Sequence, residues 1–181
     1  MIIGLTGTLS SGKDTIAEFL VKKGFKHIST GDIVREDLQK SGAETNRETL
    51  QQRANELRRQ YGPDYLAKSA LSRARNNAVI SGLRTTSEVE ALRQASGDGF
   101  VLLAVDAPAG LRYSRAKARG RIGDEITLEK FLNQEAREMH GTSPYEQQLG
   151  QVMAQANVTI ENEGSQEDLY RKIEELLKQY A

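Results

Sequence analysis

The chain reads as an α/β protein with a five-stranded, mainly parallel sheet flanked by helices. Three observations predict it. Short apolar, β-prone runs recur at 2–6, 25–29, 78–81, 100–105 and 158–161. Longer stretches with helical spacing lie between them, the alternation that builds right-handed βαβ units. The first such unit joins strand to helix through Gly7-Thr8-Leu9-Ser10-Ser11-Gly12-Lys13, a glycine-rich loop closed by a lysine.

The first helix is expected over 13–23, with Gly24 as its C-terminal stop before the second strand. The polar segment 32–75 carries only sparse apolar positions, among them Leu38, Leu50, Leu57 and Leu66. It is expected to form two or three helices broken near Gly42 and at Gly62-Pro63. Because it is long for a crossover, it is read as a helical insertion that holds a second substrate. Further helices are expected near 86–95, 109–119, 127–139 and 166–180.

Composition narrows the function. At 181 residues the chain is long enough for one compact domain. Basic and acidic residues balance at 25 each, so summed charge gives no reason to expect nucleic-acid or membrane binding. There is no cysteine, which excludes disulfides and thiolate metal sites and suits a reducing compartment. The opening apolar stretch follows no basic run and is too short for a signal or membrane helix. A cytoplasmic protein is expected, a monomer or small homo-oligomer.

The chemistry concentrates first at the glycine-rich loop. Gly7 and Gly12 let the backbone curl so that successive N–H groups point inward, Lys13 adds a cation, and the next helix presents its positive end. Gly7, Ser10, Ser11, Gly12, Lys13, Asp14 and Thr15 are therefore candidate contacts for a polyphosphate. One position departs from the usual pattern: Asp14 replaces the Ser or Thr whose hydroxyl normally touches magnesium.

The chain resembles the nucleoside monophosphate kinases, phosphotransferases of the three-layer P-loop NTPase fold. The stretch His27-Ile28-Ser29-Thr30-Gly31-Asp32-Ile33-Val34-Arg35 is similar to the segment by which adenylate kinases hold the acceptor nucleotide. The resemblance implies that Thr30 and Gly31 sit by the acceptor and that Arg35 binds its phosphate. Ser29, Thr30 and Asp32 are also ordinary helix-capping residues, and both readings hold together. After the third strand, Ser81-Gly82-Leu83-Arg84 resembles the family's Asp-Gly-apolar-Arg motif, which implies that Arg84 grips the acceptor phosphate and takes part in catalysis. Ser81 stands where that family has an acid, so Asp14 and Asp32 are assigned the outer shell of Mg2+, with Asp14 as a mere first-turn helix acid the alternative.

The resemblance further implies a lid over about 112–137, an acceptor-binding insertion over about 31–75 and a core of 1–30, 76–110 and 140–181. Arg112, Arg115 and Arg119 share one helix face by spacing. Arg115 is assigned to the ATP base, while Arg119 and Arg137 are assigned to its phosphates as catalytic cations. Arg121 belongs to the same basic cluster, and Arg112 and Lys117 are read as a solvated basic face. Asn162 and Gly164 lie in a tail turn resembling that of dephospho-coenzyme A kinases, where it passes the adenine.

These readings converge on transfer of the γ-phosphoryl group of ATP to a nucleoside or deoxynucleoside monophosphate, with Mg2+, on a small-molecule acceptor. Dephospho-coenzyme A kinase chemistry and a nucleotide-dependent ATPase switch are the competing readings. His27 and His140 have no sequence partners for a triad or metal site and are read as structural. Arg58 and Arg59 are assigned by default to a helix surface, and the tyrosines to packing.

Overall fold

β1 (Ile2–Gly7) runs through the middle of a sheet whose every neighbouring pair is parallel. The computed structural model describes residues 1–74, 76–120 and 127–180. After β1 come α1 (Lys13–Lys22), β2 (Lys26–Ser29), α2 (Thr30–Lys40), α3 (Arg47–Tyr61), α4 (Tyr65–Arg73) and β3 (Ala78–Ser81). Then follow α5 (Thr86–Ser96), β4 (Phe100–Asp106), α6 (Ala109–Arg119), α7 (Leu128–Met139), α8 (Leu149–Ala154), β5 (Val158–Glu161) and α9 (Gln166–Tyr180). The five strands lie in the order β2-β3-β1-β4-β5.

Both faces of the sheet are covered, which is why β1 and β4 read as continuous apolar runs rather than alternating ones. Side chains divide by the two-residue strand period. Ile2, Ile80 and Leu102 join a core beneath α2 to α5, while Ile3, Leu5, Val79 and Leu103 join one beneath α1 and α9. The expected strands all form, with β1 reaching Gly7, β4 reaching Asp106 and β2 beginning at Lys26. Phe25 packs into the α1 and α9 core instead of entering the ladder.

The long polar segment forms three helices. α2 ends at Lys40 with Ser41 as its C-cap, and α3 starts from a capping box in which Asn46 and Thr49 exchange side-chain and backbone bonds. Gly62 and Pro63 separate α3 from α4. The short helix α8 was not expected, because six residues carry too little periodicity to read; it forms by burying Leu149 and Val152. Among the described residues no helix is long and apolar enough to cross a membrane.

The parallel order sends the C-terminal ends of β1, β2 and β3 to one edge of the sheet. The loop after β1, the start of α2 and the turn after β3 therefore meet there.

Candidate active site

A cleft of about 690 Å³ opens at that edge, with the β1–α1 loop on one side and α2 and α3 on the other. The loop is shaped for close approach. Gly7 has φ +137, and a Cβ there would stand 2.0 Å from the Val105 carbonyl oxygen. Gly12, at φ +106, caps α1, and a Cβ there would reach 2.3 Å from Asn162 Nδ2. Ser10 adopts φ 58, and its buried hydroxyl finds no hydrogen-bond partner among the described residues. Ser11 is fully buried, with its carbonyl accepting from Asn162 Nδ2 at 2.8 Å. Beneath the loop, Thr8 Oγ1 donates to Asp106 Oδ1 at 2.6 Å.

Lys13 curls over this loop. Its Nζ donates to the Gly7 carbonyl at 2.8 Å, to the Thr8 carbonyl, and to Ser11 Oγ at 3.3 Å. Desolvation pushes its ammonium down to about 7; Arg84 adds to the fall, while Asp14 and Glu138 oppose it. Thr15 and Asp14 also line the cleft, with Asp14 Oδ2 4.0 Å from Arg119 Nη1.

The opposite wall carries the acceptor candidates. Thr30 is buried and donates through Oγ1 to the Gly82 carbonyl at 2.9 Å, tying α2 to the turn after β3. Gly31 and Arg35 line the cleft, and Ser29 caps α2 by accepting the Asp32 N–H at 3.3 Å. Arg84 donates from Nη1 to the Gly7 carbonyl at 3.0 Å, so it spans from the β3 turn to the phosphate loop. Burial holds its guanidinium below its ordinary value; Arg47 and Arg58 act in the same direction, against Glu138 and Glu88.

Several assignments change in three dimensions. Asp32 pairs with Arg35 but, unlike Arg35 and Asp14, is not among the residues that line the cleft. The i, i+3 spacing on α2 makes that local pairing the short path for both side chains. Arg137 is exposed, because the buried face of α7 is set by Phe131 and Glu138, seven residues apart, and position 137 lies one step round the helix. Arg112 is buried rather than solvated. Its Nε donates to the Ala107 carbonyl at 2.6 Å and its two Nη atoms clamp Glu135, joining α6 to α7. Arg58 is likewise buried, 1% exposed, on Glu88 of α5. Arg115 and Arg119 do line the cleft, and Arg115 Nη1 is buried without a partner among the described residues. Asn162 touches the loop, whereas Gly164 sits in an exposed turn away from the cleft lining. His27 Nε2 lies 2.8 Å from Ser81 Oγ, linking β2 to the C-terminal end of β3. Arg121 and the lid stretch 121–126 lie outside the described residues.

Sequence reasoning missed Arg47 and Glu138. Glu138 is 5% exposed, lines the cleft and accepts from Arg47 Nη2 at 2.5 Å. Burial alone would push its carboxyl up, but Arg84, Arg47 and Lys13 hold it below its usual range. The one signal available was the amphipathic period of α7, which puts 131, 135 and 138 on one face.

Among the described residues no group of three His, Cys, Asp or Glu side chains is placed to hold a metal alone. A magnesium ion carried by nucleotide phosphates needs only one or two carboxylates from the protein, and cleft-facing Asp14 fits that demand.

A central parallel sheet with a lysine-closed phosphate loop at its C-terminal edge gives this protein an α/β, P-loop kinase-like fold. The AAA domain family profile matches residues 3–141. The UPF0200 protein of Methanosarcina barkeri is 31% identical, over 99% of this chain and 95% of its own length. That of Thermococcus gammatolerans is 35% identical over 98% and 94%. The chain belongs to the UPF0200 family. It is also 34% identical to a UPF0200/UPF0201 protein of Archaeoglobus fulgidus, but spans only 56% of that relative's length.

Solved structures agree on the fold. TT1252 from Thermus thermophilus superposes with a TM-score of 0.61 at 23% identity, over 100% of this chain and 98% of that one. Shikimate kinase from Aquifex aeolicus gives 0.57 at 17% identity, over 98% and 96%. A gluconokinase from Sinorhizobium meliloti gives 0.56 at 16%, over 98% and 95%.

Proposed function

We propose that the protein is an ATP-dependent phosphotransferase that moves the γ-phosphoryl group of ATP to a nucleoside or deoxynucleoside monophosphate. The observation that carries this reading is that one cleft joins the phosphate loop to Thr30, Gly31, Arg35 and Arg84. Donor and acceptor groups then face the same space, as a direct transfer requires.

In this reading Lys13 and the loop N–H groups hold the β- and γ-phosphates. Because burial lowers the Lys13 ammonium to about 7, the fraction present as neutral amine takes up a proton as the polyphosphate charge enters. Arg35 and Arg84 hold the acceptor phosphate and aim one of its oxygens at the γ-phosphorus. The new P–O bond forms as the bond to the β–γ bridging oxygen breaks, leaving ADP. Positioning and charge stabilisation supply most of the catalysis, so no strong base is needed. Arg115 and Arg119 close the donor side. Mg2+, when bound with ATP, neutralises phosphate charge, and Asp14 is the side chain that would hold its water shell.

The Asn162 contact with the loop, on the segment resembling dephospho-coenzyme A kinases, favours dephospho-coenzyme A as a second acceptor to test. A coupled assay of ADP release across nucleoside and deoxynucleoside monophosphates and dephospho-coenzyme A separates the readings. Release above the acceptor-free rate is expected with a monophosphate. Turnover with dephospho-coenzyme A alone overturns the choice of acceptor, and equal release with and without any acceptor points to an ATPase switch.

A further inference from the structure

Glu138 stands in the cleft among cations without being used up by them. Two other acids of this region show the contrast. Both oxygens of Glu88 are engaged, Oε1 by Arg58 and Oε2 by the N–H groups of Arg84 and Thr85. Glu135, one turn before Glu138 on α7, has both oxygens clamped by Arg112 and lies outside the cleft lining. Glu138 faces the cleft, and among the described residues it accepts one side-chain bond, from Arg47.

The surrounding charge is lopsided. Among the described residues seven basic side chains line the cleft against two carboxylates, Asp14 and Glu138. One of the seven, Arg58, is already neutralised by Glu88 from behind. A buried carboxylate persists only where cations compensate its lost hydration, and the same cations are uncompensated once it leaves. A carboxylate presents two acceptor oxygens to a guanidinium fork as a phosphate does, but with less charge.

Resting on the reading of this cleft as a two-substrate site, we propose that Arg47 and Arg84, which both line it, form an anion subsite for a phosphate monoester. Glu138 is its internal occupant when no acceptor is bound. Arg47 on α3 is thereby a further acceptor ligand beyond Arg35 and Arg84. The incoming phosphate displaces the Glu138 carboxylate, which turns to solvent as Arg47 passes to the ligand. The cost of that displacement sets the affinity for the acceptor.

The test fills the donor half with adenylyl imidodiphosphate and magnesium, then titrates inorganic phosphate by calorimetry. Glu138→Gln, which keeps shape and removes charge, is expected to bind phosphate about tenfold tighter than the wild type, because the self-occupied fraction no longer competes. Adding Arg47→Ala is expected to abolish that gain. Unchanged or weaker phosphate binding by Glu138→Gln overturns the proposal, as does a gain that survives Arg47→Ala. Should Glu138→Gln not fold, the wild-type complex with phosphate decides by crystallography: Glu138 parted from Arg47 supports the subsite, and the 2.5 Å contact intact beside a bound phosphate overturns it. No arm needs turnover. A protein that shows the gain but phosphorylates no monophosphate retains the subsite and loses only the acceptor named above.

Discussion

Glu88 accepts the backbone N–H of Arg84 at 2.7 Å through Oε2, while its Oε1 receives Nε and Nη2 of Arg58 at 3.0 and 2.9 Å. One carboxylate thus caps α5, fixes the backbone of a cleft arginine and neutralises a second arginine from α3. Glu88 is 0% exposed and Arg58 1%, so neither charge has water to fall back on. Glu88→Gln leaves the Arg58 guanidinium buried and uncompensated, and a loss of about 3–5 kcal/mol in urea unfolding is expected. A loss under about 1 kcal/mol would mean that Arg58 finds solvent when Glu88 is neutral.

Gly7→Ala tests the loop. The added Cβ would lie 2.0 Å from the Val105 carbonyl oxygen, and φ +137 is strained for any side chain. That backbone cannot yield without breaking the β1–β4 ladder, so the cost exceeds the usual ~1–3 kcal/mol of φ strain. Thermal unfolding should show a large drop, together with lost binding of a fluorescent ATP analogue.

The Lys13 ammonium, lowered from 10.5 to about 7, gives a pH signature. Between those values the unfolded chain holds the proton and the empty folded protein does not, so this group makes stability rise with pH across that window. Below about pH 7 both states are protonated and the contribution is flat at its least favourable. Polyphosphate binding restores the charge, so proton uptake is expected inside the window. Calorimetry in two buffers of different ionisation enthalpy measures it, and Lys13→Met should abolish it.

Arg84→Lys keeps a charge but loses the fork that reaches the Gly7 carbonyl while facing the cleft. A fall of about a hundredfold in kcat/KM for the acceptor is expected, or about 2.7 kcal/mol of transition-state stabilisation. Arg137→Ala, on the exposed face of α7, should leave both kinetic constants near wild type.

Asp14→Asn tests the magnesium role. Its carboxylate is the cleft acid nearest in sequence to Lys13, and its loss should raise the magnesium concentration needed for half-maximal turnover several-fold. An unchanged magnesium dependence would leave Asp14 as a helix-end acid near Arg119.

The strands, most helices and the phosphate loop were legible because each is written in contiguous residues. β4 is apolar at every buried step and β1 at every one but Thr6, and Gly7 to Thr15 carry strand end, loop and helix start in one run. Thr30 and Arg84 were singled out through the family resemblance of the motifs that carry them, and each follows a strand whose parallel placement brings its C-terminal end to the cleft. α8 escaped notice because its six residues form only through burial against distant partners.

By itself, then, the sequence determined the alternation of strand and helix and the phosphate loop, since local spacing and backbone freedom suffice for both. Only the tertiary structure decided what each charge does. Arg47 meets Glu138 across 91 residues, Arg58 meets Glu88 across 30, and Asn162 reaches the loop across 151. On a helix surface Arg58, Arg112 and Arg137 look alike; packing buries the first two onto carboxylates and leaves the third in solvent. An ionised side chain takes its role from the dielectric and the partners around it, and both come from residues far away in the chain.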